Sequence, residues 1–164
     1  MKIYCCECKH DVQAILINGT ETYPHRPDLA NLSFWKCPNC NNFVGCHHKT
    51  NQPTKPLGVI PNAEIKHARQ YLHNILDPVW KNKIIRRHVL YKLISKELGY
   101  EYHTAEIKTI EEARKIYHII MKLINWAYNI RTKKNKSRAM ILKQIIDAEE
   151  NNIKDKHDTS TTPK

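Results

Sequence analysis

Two cysteine pairs with one spacing, Cys5-Cys6-Glu7-Cys8 and Cys37-Pro38-Asn39-Cys40, carry the clearest chemistry in this chain. A Cys-x-x-Cys turn brings two sulfurs to one side of a tight loop, and two such turns can close a tetrahedron of thiolates. Backbone N–H groups in each turn can donate to the sulfurs. All-sulfur tetrahedral ligation selects zinc over magnesium or calcium. Cys5, Cys8, Cys37 and Cys40 are therefore the predicted ligands of one structural zinc ion (Zn2+). The 28 residues between the pairs leave room for a hairpin and a return strand.

The other chemistry-bearing residues are less decisive. Cys6 has the wrong spacing for a ligand and reads as a bystander, so Cys6→Ser should be nearly silent. Cys46, in Gly45-Cys46-His47-His48, has three readings: a substitute ligand, a packed small hydrophobe, or a reactive thiol beside a histidine. His10 lies near the first pair and is either a ligand or a surface residue. Cys46 and His47 with Asp28 or Asp77 can be drawn as a nucleophile and base, and His47 with Asp28 as a nuclease pair. Neighbours on an extended strand rarely aim at one another, so binding is favoured over catalysis.

All six cysteines fall within residues 5–46, and the 118 residues after Cys46 have none. Clustered, paired cysteines point to metal in a reducing compartment rather than to a disulfide framework. No apolar run is long enough to span a membrane, and no hydrophobic signal core precedes Cys5. The expected location is cytoplasmic. The formal charge is +11, with 27 Lys and Arg against 16 Asp and Glu. Four thiolates around a dication would bring the zinc-loaded chain to about +9. Such an excess favours polyanions, nucleic acid above all, although a Lys-, Ile- and Asn-rich composition is also what an AT-rich genome encodes.

The elements that must position these residues fall into an α+β arrangement. A small N-terminal zinc ribbon of short antiparallel strands (residues 1–50) precedes a Pro-rich linker (51–61). A helical region of three to four helices (62–150) and a disordered tail (151–164) complete it. Val12–Ile17 is a β-type run, and Asn18-Gly19 signals a hairpin to Thr20–Tyr23. Leu32–Lys36 leads into the second cysteine pair and Phe43-Val44 leaves it. Pro53, Pro56 and Pro61 mark the linker, and Asn62 caps the first helix. Asp77-Pro78 should stop that helix. A second runs from Ile84 to Leu98, with Gly99 as its C-cap. Thr109-Ile110-Glu111-Glu112 is a capping box that opens a third. Arg131–Lys136 should interrupt it, with Ser137 capping a last helix.

Beyond the cysteines, the stretches Tyr23–Leu29, Phe34–Cys40 and Val44–His47 resemble a family of zinc-finger-containing proteins found in phage and prophage genomes. The likeness continues through Pro56-Leu57-Gly58, Asn62–Ile65 and Asp77–Trp80. It fades near Arg87, Tyr91 and Ile94, and the family's histidine motif is degraded here to His103-Thr104-Ala105-Glu106. It covers about residues 5–125. The resemblance implies the four zinc ligands already named, marks Asp28, Cys46, His47, Asp77 and Trp80 as pattern positions, and brings no assigned reaction.

Two functions compete. In the first, the chain is a phage-type accessory protein acting in the host cytoplasm, with DNA or RNA as its partner. Tyr23, Phe34 and Trp35 could stack on bases, while Arg26, Lys36, His47, His48 and Lys49 meet phosphates. Lys81, Lys83, Arg86, Arg87 and His88 form a second basic cluster, and Arg131 to Arg138, with Lys133 and Lys134, a third. Strand alternation puts Phe34 and Trp35 on opposite faces, one of them over the zinc site. In the second function the chain is a small inhibitor or adaptor that binds a host or phage protein. A solvated helix end is the plainer account of each basic cluster.

Overall fold

The computed structural model describes residues 1–158. Two short antiparallel layers come first. Strands β1 (Lys2–Cys5) and β2 (His10–Gln13) pair as a hairpin, with Ile3 opposite Val12 and Cys5 opposite His10. Strands β3 (Ile15–Asn18), β4 (Ser33–Lys36) and β5 (Phe43–Gly45) form an antiparallel sheet in that order. The expected continuous run Val12–Ile17 is broken at Ala14. Its buried N–H turns to the Met1 and Val12 carbonyls, and the chain passes from one sheet to the next.

The hairpin expected at Asn18-Gly19 is instead a one-turn helix, α1 (Gly19–Thr22). Asn18 caps it: its side chain accepts from the Glu21 N–H, and the Glu21 carboxylate accepts from the Asn18 N–H. This reciprocal box outcompetes the turn. Gly19 is required for close approach rather than for positive φ. A Cβ there would lie 1.7 Å from the Leu29 carbonyl oxygen.

Residues 51–61 do not behave as a free linker. The Leu57 N–H donates to Gly45 O, and Cys46 bridges Pro56. Ile60 then pairs in parallel with Cys5: its N–H donates to Tyr4 O, and the Cys6 N–H donates to Ile60 O, both at 2.9 Å. Ile60 is fully buried in the same apolar cluster as Ile3, Cys5, Val12, Ala14, Cys37 and Val44. The prolines thus end regular pairing without freeing the backbone, because burial of Val59 and Ile60 holds it. Gly58 is pressed against the 104–106 turn. A Cβ there would sit 2.3 Å from the Ala105 carbonyl oxygen. Backbone cannot yield as a flexible side chain can, so Gly58→Ala should cost about 1–3 kcal/mol. A lowered urea midpoint with unchanged m-value would show it.

Helix α2 (Ala63–Lys81) starts at Asn62, whose side chain accepts from the Ile65 N–H. It does not stop at Asp77-Pro78. Pro78 removes its own N–H bond and crowds the carbonyl four residues back, yet the helix runs on through the buried Val79 and ends one turn later at Asn82. Helix α3 (Arg87–Leu98) starts later than Ile84 and closes on Gly99 with φ 80°. Their buried positions, Leu72, Leu76 and Val79 on α2 and Leu90, Ile94 and Leu98 on α3, recur at helical spacing. Helix α4 (Ile110–Asp158) starts after Thr109, whose hydroxyl accepts from the Glu112 N–H at 3.1 Å. The Glu112 carboxylate reaches back to the Lys108 N–H, one residue beyond the usual box partner.

The expected interruption at Arg131–Lys136 is absent. Lys and Arg are good helix formers, and no Gly or Pro lies between Ile110 and Asp158. Ser137 caps nothing; its hydroxyl donates back to Lys133 O inside the helix. Part of the expected tail, Asn151–Asp158, is also helical, and residues 159–164 lie outside the described residues. Met1–Lys122, which holds the strands, α2, α3 and the first turns of α4, forms one compact unit. The remainder of α4 belongs to a second. No helix among the described residues is long and apolar enough to cross a membrane.

Candidate metal centre

Each cysteine pair sits at the bend of a hairpin. Cys5 ends β1, and Cys8 precedes Lys9, which has φ 61°. Cys37 follows β4, and Cys40 precedes Asn41, which has φ 62°. The Lys9 N–H donates to Cys5 O at 2.8 Å, and the Asn41 N–H to Cys37 O at 3.1 Å. The two turns therefore repeat one conformation, in which a left-handed residue closes the loop and turns both sulfurs inward. Neither left-handed residue is glycine, so local strain is held there by the surrounding structure.

The four sulfurs all lie within 4.8 Å of one another, and these cysteines form the one such group found among the described residues. Cys5 Sγ is 3.5 Å from Cys40 Sγ, and Cys8 Sγ is 3.7 Å from Cys37 Sγ. Tetrahedral thiolates about 2.3 Å from a zinc ion are about 3.8 Å apart, so the spacing suits zinc. Donors surround the sulfurs as well. Asn42 Nδ2 lies 3.3 Å from Cys40 Sγ. In the metal-free protein, burial pushes the Cys5 thiol up to about 12. Burial opposes ionisation at Cys37 too, but the Cys40 and Asn39 N–H groups and the neighbouring thiols draw it down to about 7. The Cys37 thiol is thus drawn toward ionisation while burial keeps Cys5 protonated, and a bound cation would favour the thiolate at both. Cys5 and Cys37 are fully buried in the ribbon's apolar cluster, so the metal would cross-link the two hairpins through their own core.

Residues 2–141 match the zinc-finger-containing domain family. The chain belongs to this family. The family match and the four-cysteine cluster together fit one structural zinc ion. The match runs past residue 125, where the visible likeness ended, and so takes in most of α4 up to Ile141. No curated protein and no solved structure matches the chain.

The remaining cysteines of this zinc-finger protein are packing residues. Cys46, just after β5, is 3% exposed, and burial raises its thiol. It is neither grouped with the metal ligands nor open to a substrate. Cys6 is buried with Val59 and Ile65, and burial raises its thiol as well. Cys6 stands outside the ligand group, as its spacing implied, but it packs the ribbon against α2, so Cys6→Ser is not silent: serine there would place a hydroxyl among apolar groups. His10 is turned away, its ring bonded to Cys8 O at 2.8 Å. Asp28 is held in a bidentate pair with Arg26, and Asp77 faces His73 and Lys81. No Cys46–His47–Asp arrangement is therefore assembled.

The candidate nucleic-acid residues separate into three places. Trp35 lies on β4 against the metal cluster, and its indole N–H donates to Thr54 O at 2.7 Å. Phe34, on the other face, is buried edge-on against Tyr23 and Phe43. Both expected stacking rings are thus engaged within the fold. Lys36 is half-buried opposite Ile15 and Phe43, and the His47 N–H donates to Lys55 O. Lys83, Arg86 and Arg87 are exposed around the turn into α3. Lys133 and Lys134 are exposed on the second unit's part of α4.

The turn into α3 holds an arrangement that sequence reasoning missed. The Arg87 guanidinium lies 5.2 Å from the centres of both the Trp80 and Tyr91 rings. The spacing of Trp80, Arg87 and Tyr91 across a helix break carried no local signal of it. Arg69 was also missed. It is 8% exposed, and its guanidinium donates to Val59 O and Ile107 O.

Proposed function

We propose that this zinc-finger protein binds nucleic acid, DNA or RNA, through basic surfaces of its helical part, with zinc holding the ribbon as scaffold. The observation that carries the reading is the charge along α4. Residues 113–146 contain nine Lys and Arg and no Asp or Glu. Residues 131–138 within that stretch are all exposed. A helix end that was merely kept soluble would mix both signs, as i,i+4 pairing favours. The turn at Lys83, Arg86 and Arg87 adds a second basic surface. Together with the resemblance to phage and prophage proteins, this supports an accessory protein acting on nucleic acid in a host cytoplasm.

Counterion release gives the test. Contact with about six phosphates predicts roughly a thousandfold loss of affinity between about 50 and 200 mM salt. Replacing Lys83, Arg86 and Arg87 together should weaken binding to every sequence and flatten that slope. A weak dependence on salt would count against the proposal.

A protein partner is the second reading, carried by Trp126, Tyr128 and Ile130, which are 52%, 45% and 46% exposed. Capture of one defined host protein, with no binding to DNA or RNA at low salt, would establish it instead.

A further inference from the structure

Three depressions on the Met1–Lys122 unit adjoin one another. The first, of about 740 Å³, lies between α3 and the segment after it, and is lined by Arg87, His88, Tyr91, Lys92, Tyr102 and His103 among others. The second, of about 370 Å³, shares His103 and Glu101 with the first and adds Lys55, His47 and Glu106. The third, of about 530 Å³, shares His47 and Lys55 with the second and is closed by Thr50, Asn51 and Gln52. Their shared lining residues set the three depressions in a row, a groove in three parts from the start of α3 to the ribbon loop.

We infer that this groove is a track for a single strand of nucleic acid. The inference rests on the nucleic-acid reading above and specifies which form is bound and where. Three observations support it. None of the ion pairs among the described residues involves Arg87, Lys92 or Lys55. Their charges are therefore uncommitted along the groove. The Arg87 guanidinium is held by two aromatic rings, which orders it without neutralising it. Half-buried Tyr91 lies beside that guanidinium, backed by the buried Tyr102 ring at 5.2 Å, so the first depression combines a cation with one partly open aromatic ring. That combination recognises unpaired bases and their backbone together.

The carboxylates refine the placement. Glu106 lines the middle depression and Glu101 lies on the wall it shares with the first, so phosphate is repelled from the middle and from that shared wall. Phosphates are thus expected near Arg87 and Lys92 at one end and Lys55 at the other, with sugar and base edges passing His103 and His47. A duplex does not suit the groove. Its bases are stacked inside a convex cylinder and cannot reach Tyr91, whereas a single strand can turn bases inward.

Fluorescence anisotropy with the zinc-loaded protein tests this. The probes are a labelled oligothymidylate and oligouridylate of about 12 nucleotides and a duplex of equal length. The single strands should bind at least about tenfold tighter than the duplex at low salt. A Lys55→Glu, Lys92→Glu double variant changes two exposed side chains and should keep its zinc. It should lose about tenfold or more in single-strand affinity. A Lys133→Glu, Lys134→Glu variant should keep the preference for single strands. Equal or tighter duplex binding, or undiminished single-strand binding by the Lys55/Lys92 variant, would overturn the track and leave nucleic-acid binding standing. If the wild-type protein binds none of the probes, the broader reading fails and the track with it.

Discussion

Replacing Cys37 by serine should remove the metal and unfold the ribbon. Cys37 is fully buried and contributes both a sulfur and apolar surface to a small cluster. That cluster has seven buried residues, two of them metal-site cysteines and one an alanine, so it cannot carry the entropy of ordering the ribbon alone. A structural zinc site contributes about 10–16 kcal/mol of apparent binding energy, far more than the apolar cluster can replace. Native mass spectrometry should find one zinc per wild-type chain and none in the variant. Near-UV dichroism and dispersed amide resonances from residues 1–60 should collapse together. A chelator should do the same to the wild-type protein. Metal-free variant with an intact ribbon would refute the structural role. Acid acts in the same direction. Cys5 holds its proton up to about 12 without metal, so zinc uptake releases protons, and falling pH favours the metal-free form. By contrast, Cys6→Ser should keep the zinc and lose about 1–2 kcal/mol through the buried hydroxyl.

Arg69→Met should be the most damaging change outside the ribbon. The side chain is buried and makes no salt bridge among the described residues; burial lowers its basicity, opposed in part by Cys6, Glu106 and Glu112 nearby. Its Nη1 donates to Val59 O at 3.2 Å and its Nη2 to Ile107 O at 2.6 Å. One helix residue thereby ties the segment after the ribbon to the segment before α4. Two effects oppose one another. Methionine spares the cost of burying a charge, which is several kcal/mol even after relaxation. It also leaves two carbonyls without their donors, at about 1–3 kcal/mol each, and loosens the contact they close. The carbonyls are fixed by the chain and cannot relax toward water, so the second effect should prevail by about 2–4 kcal/mol. Denaturant titration of the zinc-loaded variant would measure it, with metal content unchanged. A midpoint equal to wild type would mean that charge burial and carbonyl pairing cancel.

The zinc ligands, the ribbon-then-helices order and the caps at Asn62, Gly99 and Thr109 were legible from residue type and spacing alone. Each rests on contacts within a few residues: two sulfurs across one tight turn, one side chain reaching an N–H three residues on. Where competing local signals met, tertiary context chose. Asn18-Gly19 can open a hairpin or cap a helix, and the Leu29 carbonyl beside Gly19 belongs to the capped arrangement. Three prolines read as a linker, yet burial of Ile60 and its pairing with Cys5 made residues 56–61 part of the ribbon. The role of Cys6, the clamp of Arg69, the Arg87 stack on Trp80 and Tyr91, and the groove from α3 to His47 all join residues distant in sequence. No periodicity encodes such meetings, because they depend on how whole elements pack. The sequence by itself determined which residues hold the metal and which surfaces are basic; only the tertiary structure decided which aromatics are already engaged and which cations remain uncommitted, since burial and pairing are properties of packed surfaces.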